Sequence, residues 1–165
     1  MALIHVAIGS NIEPQRRMVQ AAEGLKQWHA GARFSPCYQN AAFGFTGADF
    51  INAVVELDSS ESVEQVLAQL RAIEQRCGRG RDDPKWAPRA MDLDLLLYGD
   101  CIEKTPECRI PRPDLLRRRY MLQPLADLAP GLRHPVTGRR IDEHLAELGA
   151  DAPPLTAIGL DLNRV

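Results

Sequence analysis

The sequence predicts a one-domain α+β fold, and three observations carry that expectation. Short apolar runs with strand character occur at 3–8, 33–38, 50–57 and 91–98. Two intervening segments, 14–31 and 62–78, repeat their apolar residues at helical spacing instead. The resulting order is strand, helix, strand, strand, helix, strand, in a chain of 165 residues that suits one hydrophobic core.

The first strand, 3–8, alternates with Ile4, Val6 and Ile8 on one face and closes at Gly9-Ser10-Asn11. Pro14 suits a first helical turn, where its missing N–H costs nothing, and Met18, Ala21, Ala22, Leu25 and Trp28 give that helix its apolar stripe. A second strand is expected over 33–38. Residues 40–47 hold two glycines and no periodicity, so they read as a loop before the third strand at 50–57. Ser60 or Ser62 caps the next helix, whose apolar face is Val63, Val66, Leu67, Leu70 and Ile73 and which stops near Gly78. A polar loop, 79–88, leads to the fourth strand at 91–98. Prolines between 105 and 113 forbid long regular structure. A short helix is expected around 115–128, another at 142–148, and a weak strand at 155–158. There is no internal repeat and no linker, so residues 1–165 read as a single domain. The order of elements is the split βαβ, ferredoxin-like arrangement, with additions at the C-terminus. Such an antiparallel sheet is covered by helices on one face and offers the other to ligands.

Composition narrows the function classes. The chain is 45% hydrophobic and 25% charged with a formal net charge of −2, so it has no general affinity for polyanions. Its arginines nonetheless cluster, at 71–89 and again at 109–119, which suits a focused site for a small anion. Arg117-Arg118-Arg119 could be a nucleic-acid patch on a ferredoxin-like sheet, but with 5% aromatics and a net acidic balance a solvated helix face is the better reading. Cys37, Cys77, Cys101 and Cys108 lack CxxC spacing, and His5, His29, His134 and His144 lack ligand spacing, so no zinc site is expected. Scattered thiols and no signal peptide point to a reduced, cytoplasmic setting. No apolar run approaches the ~20 residues of a membrane helix.

The fourth strand carries the chemistry. Within it, Asp92-Leu93-Asp94 places two carboxylates on one face with Cα atoms roughly 7 Å apart. That spacing lets both converge on one or two hard divalent cations, Mg²⁺ being the ordinary choice for oxygen ligands. The alternative is a solvated acidic face. However, the neighbours of the pair are Leu and Met, and carboxylates in an apolar strand call for a metal or a counter-charge. Arg79, Arg81, Lys85 and Arg89 lie just upstream, a density of cations suited to phosphate. Carboxylates for metal beside arginines for phosphate form the inventory of nucleotide-dependent group transfer.

Several co-linear motifs then add up to a family resemblance. Arg79-Gly80-Arg81, Trp86-Ala87-Pro88-Arg89, Asp92-Leu93-Asp94 and Tyr98-Gly99 resemble the signature of the 6-hydroxymethyl-7,8-dihydropterin pyrophosphokinase family. Ile8-Gly9-Ser10-Asn11, the run from Asp49-Phe50 to Asn52-Ala53-Val54, and Arg118 with Tyr120-Met121-Leu122-Gln123-Pro124 extend the likeness from about residue 8 to 130. The resemblance implies transfer of the terminal pyrophosphoryl group of ATP to the hydroxymethyl group of a reduced pterin, leaving AMP, in folate biosynthesis. It implies that Asp92 and Asp94 hold two Mg²⁺ ions and that ATP is the co-substrate. Arg79 and Arg89 would stabilise charge on the transferring group. Arg81, Arg112 and Arg118 would contact phosphate, and Trp86 would lie on a loop that closes over the reactants. Phe50 and Tyr120 would sandwich the pterin, Asn52 would read its edge, and backbone groups around Asn40 and Phe43 would complete the slot. No obligate protein partner is implied.

The sequence also departs from that pattern. The 40–48 loop is one residue shorter than usual and lacks its prolines, and Ala87 stands where glycine is common. Arg112 replaces a histidine that commonly contacts the nucleotide, and Glu107 falls near a position where arginine often helps hold ATP. A paralogue acting on another pterin-like acceptor, or a nucleotide- or pterin-binding regulator without turnover, are the competing readings. The retained set Arg79, Arg89, Asp92 and Asp94 argues against the second, since binding alone does not need all four.

Overall fold

Strand alternation here sorts the chain into two chemistries, one on each face of a single sheet. The computed structural model describes residues 1–42, 46–80, 88–150 and 152–165. Along them run β1 (Ala2–Ser10), α1 (Pro14–Trp28), β2 (Arg33–Phe34), β3 (Cys37–Asn40), β4 (Phe50–Ser59), α2 (Val63–Arg76) and β5 (Asp92–Tyr98). After these come β6 (Glu103–Lys104), β7 (Arg109–Ile110), α3 (Arg119–Leu128), α4 (Ile141–Glu147) and β8 (Thr156–Ile158). The main sheet has the order β5-β1-β4-β3-β8, with β2 also on β4, and its pairings are antiparallel. Through β5, this is the expected ferredoxin-like topology, and β8 is an added edge strand from the C-terminal extension.

One face is a dry core. Ile4, Val6 and Ile8 of β1, Ile51, Ala53, Val55 and Leu57 of β4, and Leu93 and Leu95 of β5 point toward α1 and α2. Those helices answer with Met18, Ala21, Ala22 and Leu25, and with Val63, Val66, Leu70 and Ile73. Burying one such Leu or Ile contributes about 1.5–3 kcal/mol, which is why the helices stay docked. Ser62 starts α2 by a capping box: its side chain accepts from the Gln65 N–H, and the Gln65 side chain accepts from the Ser62 N–H. Gly78, at φ +92°, ends it. The Gly78 N–H donates to the Gln75 carbonyl and the Arg79 N–H to the Glu74 carbonyl, the pair of bonds of a Schellman motif. The chain thereby doubles back, and Arg79 is delivered beside the end of its own helix.

Three expectations need correction. The strand expected over 33–38 is broken into β2 and β3 at Ser35-Pro36. Pro36 has no N–H for the ladder, and the Ser35 hydroxyl takes over as acceptor for the Val54 N–H at 2.8 Å. The helix expected over 115–128 begins only at Arg119, after turns that include Arg112–Leu115 and Asp114–Arg118 hydrogen bonds. Finally, the second face of the sheet is not left open along its whole length. Leu115, Met121, Leu122, Leu125 and Ala126 pack with Ile141 onto Ala7, Val54, Leu96 and Leu97, so α3 and α4 cover part of it. Apolar residues at alternate strand positions on both faces are the reason. Among the described residues no helix is long and apolar enough to cross a membrane.

Candidate functional site

The uncovered part of that second face gathers most of the polar side chains singled out by the sequence. In the ladder, Asp92 pairs with Gly9, Gly9 with Asn52, and Asn52 with Tyr38, so these four form one row across β5, β1, β4 and β3. Asp94 and Val54 flank Ala7 in the next row, and Asn40 lies opposite Phe50. Period-two alternation puts Asn40, Phe50, Asn52, Asp92 and Asp94 on the same side, away from the dry core. Gly9 is required here: a Cβ at that position would lie 2.7 Å from Asn52 Oδ1. The missing side chain lets Asn52, only 7% exposed, lie over β1, where its Nδ2 donates to Asn40 Oδ1.

Each aspartate carries an arginine. Arg79 Nη1 donates to Asp92 Oδ1 at 2.8 Å, and the same guanidinium is paired with Glu74. Arg112 Nη1 lies 3.3 Å from Asp94 Oδ1. Arg112 reaches it because β5 bulges. The β1–β5 register shifts between His5 and Val6, leaving Leu96 as the extra residue of β5, and its carbonyl accepts the Arg112 N–H at 2.9 Å. The two arginines do not fully compensate the two carboxylates. Burial and the neighbouring Asp92 charge push Asp94 from the usual carboxylate range up to about 7, against the opposing pull of Arg112.

Glu74 was not singled out by the sequence reading. It is buried at the end of α2, accepts the Leu93 N–H at 3.2 Å, and holds Arg79. Burial raises its pKa, with Arg79 pulling the other way. The signal was present: Glu74 is four residues after Leu70 and so falls in the buried stripe of α2, where a carboxylate must have a partner. Ser10 and Asn11 belong to the Ile8-Gly9-Ser10-Asn11 motif. Ser10 Oγ donates to the Ala90 carbonyl at 2.6 Å, Asn11 Oδ1 accepts the Arg89 N–H at 2.6 Å, and Asn11 Nδ2 donates to the Ala48 carbonyl at 3.1 Å. One asparagine thus ties together the backbones on both sides of the site. Arg89 is fixed through its backbone and forms no ion pair with either aspartate among the described residues.

The aromatic wall comes from α3. Tyr120 is half-buried, and burial together with the charge of Asp94 raises its pKa, while Arg118 and Arg112 lower it; the four groups therefore lie in one field. Tyr38 donates its hydroxyl to Asp127, which ties α3 to β3. Asn40, Ala42, Arg118 and Tyr120, with Leu148 and Pro153 of the C-terminal extension, line a cavity of about 400 Å³. That volume is within the range of small-molecule pockets. Phe43, Arg81 and Trp86 lie outside the described residues. Glu107 is exposed, in the turn that joins β6 to β7.

Asp92 and Asp94 offer hard oxygen donors, and among the described residues no group of three or more His, Cys, Asp or Glu could hold a metal by itself. Two carboxylates on one face are a donor set that Mg²⁺ can take, with waters and substrate phosphates completing its shell. Burial and the neighbouring Asp92 charge both disfavour the Asp94 carboxylate, and such a cation would offset them.

Fold and site together define an α+β protein with paired carboxylates and arginines, suited to a phosphorylated ligand, on the same sheet as a partly apolar cavity. The chain belongs to the family described as 7,8-dihydro-6-hydroxymethylpterin-pyrophosphokinase (HPPK), which it matches over residues 5–130. It is 37% identical over 160 residues to the 2-amino-4-hydroxy-6-hydroxymethyldihydropteridine pyrophosphokinase of Synechocystis sp., covering 95% of this chain and 82% of that one. It is 39% identical over 148 residues to the protein of the same name from Pseudomonas aeruginosa, covering 87% of this chain and 90% of that one. Among solved structures it is similar to Plasmodium falciparum HPPK-DHPS at a TM-score of 0.63 and 12% identity, a likeness of fold. The match covers 89% of this chain and 43% of the Plasmodium chain, so this chain spans less than half the length of that one.

Proposed function

We propose that this protein is a pyrophosphokinase that transfers the terminal pyrophosphoryl group of ATP to the hydroxymethyl group of 6-hydroxymethyl-7,8-dihydropterin, in folate biosynthesis. In the balanced step the hydroxymethyl oxygen forms a bond to Pβ, the bond from Pβ to its bridging oxygen on Pα breaks, AMP leaves, and the hydroxyl proton goes to water. The observation that carries the reading is the shared face: the paired carboxylates, each held by an arginine from outside the sheet, lie on the same side of the sheet as the Asn40–Asn52 pair.

In this reading residues 1–165 act as one domain. Asn52 and Asn40 hold the polar edge of the pterin, and Phe50 and Tyr120 take its flat faces, so the hydroxymethyl group points along the row toward Asp92 and Asp94. Arg79, Arg89, Arg112 and Arg118 bind phosphate oxygens, with Arg79 and Arg89 placed for the transferring group. Arg81, Trp86 and Phe43 are proposed for nucleotide contact, loop closure and the pterin slot on sequence grounds. Two Mg²⁺ ions held by Asp92 and Asp94 would supply neutralisation of the triphosphate charge. The cytoplasmic setting is proposed on sequence grounds.

The test separates nucleotide products after incubation with ATP, Mg²⁺ and 6-hydroxymethyl-7,8-dihydropterin. Pterin-dependent AMP, absent without Mg²⁺, is the expected result. ADP in place of AMP would overturn the reaction type, and AMP formed only with a different pterin would overturn the acceptor.

A further inference from the structure

The aspartates that would take the cation are already paired, each to a different arginine, and the two pairs are held by different parts of the fold. Arg79 is placed by the Schellman turn at Gly78 and retained by Glu74, so it has a second carboxylate to stay with when it leaves Asp92. Arg112 is placed by the Leu96 bulge, and its Nε is buried without a hydrogen-bond partner among the described residues. That N–H is a donor waiting for an acceptor, and a buried unmatched donor is costly. No third protein carboxylate, His or Cys joins Asp92 and Asp94 among the described residues. A bare divalent cation would have to displace two guanidiniums while gaining only two protein ligands. A cation already carrying a triphosphate brings its own oxygens and gives the displaced guanidiniums new anions to bind.

We propose that Arg79 and Arg112 are resident counter-ions of Asp92 and Asp94, so that the pair admits a divalent cation only together with the nucleotide's phosphates. Glu74 is the positioning residue that keeps Arg79 in place through the exchange. This rests on the functional reading above and deepens it, making cation and nucleotide binding strongly cooperative. By linkage the coupling is reciprocal, and removing one guanidinium weakens it from both sides.

The experiment counts free Mn²⁺ by electron paramagnetic resonance as the full-length protein is titrated with Mn²⁺ alone. It is then repeated with α,β-methylene-ATP, which cannot be cleaved between Pα and Pβ. Wild-type protein should bind Mn²⁺ weakly alone and much more tightly with the analogue. Arg112→Gln and Arg79→Gln should each bind Mn²⁺ alone about tenfold more tightly or better, and lose most of the enhancement by nucleotide. Arg112→Lys, which keeps the charge, should stay close to wild type. A gain in affinity cannot come from damage to the fold, which separates this role from a merely structural one. Equal bare-Mn²⁺ affinity in wild type and both glutamine variants would overturn the proposal. Pterin-dependent AMP formation by the same wild-type sample tests the functional reading separately. AMP without the gain in Mn²⁺ affinity sinks only the counter-ion role, and the gain without AMP sinks only the reaction.

Discussion

The two faces of this sheet are built by the same strands, residue by residue in alternation, yet they do opposite things. Toward α1 and α2, β1, β4 and β5 present Ile4, Val6, Ile8, Ala53, Val55, Leu57, Leu93 and Leu95, all buried and all apolar. Toward α3 the same three strands present Gly9, Asn52, Asp92 and Asp94, with apolar Ala7, Val54 and Leu96 only where α3 covers them. Stability and chemistry are thus interleaved along the sequence but separated in space by one strand thickness. A side chain on the first face can be judged by packing alone. On the second, like charges are held close together, a disposition that costs stability and serves ligand binding.

The sharpest way to break the comparison is to exchange the expected phenotypes. Asp94→Ala should lower turnover about a thousandfold or more while circular dichroism stays close to wild type and Tm does not fall. Unimpaired AMP formation by this variant would remove the metal-site assignment. On the other face, Leu70→Ala, at a position 1% exposed, should cost about 2–5 kcal/mol in urea unfolding and leave the KM of the folded fraction unchanged. A large KM change there would mean that the two faces are not independent. Phe50→Ala should weaken pterin binding by about 10–100-fold in calorimetry and alter ATP binding far less. Equal losses for both ligands would count against its place in the slot.

The smallest effect comes from Asp94 as an ionising group. Its folded-state pKa lies above its unfolded value, at about 7 against 3.8, so the folded chain holds that proton more tightly. The associated stability is fully present below about pH 3.8 and is lost as pH rises through about 7. In the ligand-free protein, Asp94→Asn should therefore raise Tm by a few degrees at pH 8 and flatten the fall of Tm between pH 5 and 8. A Tm profile identical to wild type would show that Arg112 already compensates the Asp94 charge.

Particular residues mark how far sequence reasoning reached. Asp92 and Asp94 were legible because strand alternation is local: two residues apart in a β-strand means the same face, whatever the strand packs against. The register that sets Asn52 beside Gly9 and Gly9 beside Asp92 was not legible, since it depends on residues about forty and about eighty positions apart meeting in the sheet. Glu74 could have been found from its place in the stripe of α2, but its partner Arg79 is revealed only by the turn at Gly78. The break at Ser35-Pro36 was foreshadowed by the proline and hidden by the apolar residues around it.

By itself, the sequence determined the order of strands and helices, the dry face of the sheet, the carboxylate pair and the family likeness. Each of these follows from periodicity, capping or motif, which act over a few residues. Only the tertiary structure decided that α3 covers part of the second face and that Leu96 bulges to bring Arg112 onto Asp94. It likewise decided that Asn11 clamps the backbones of Ala48 and Arg89. These depend on which distant backbone groups find partners when the sheet closes. Hydrogen bonds and ion pairs across such distances are set by register and packing, and no local pattern encodes them.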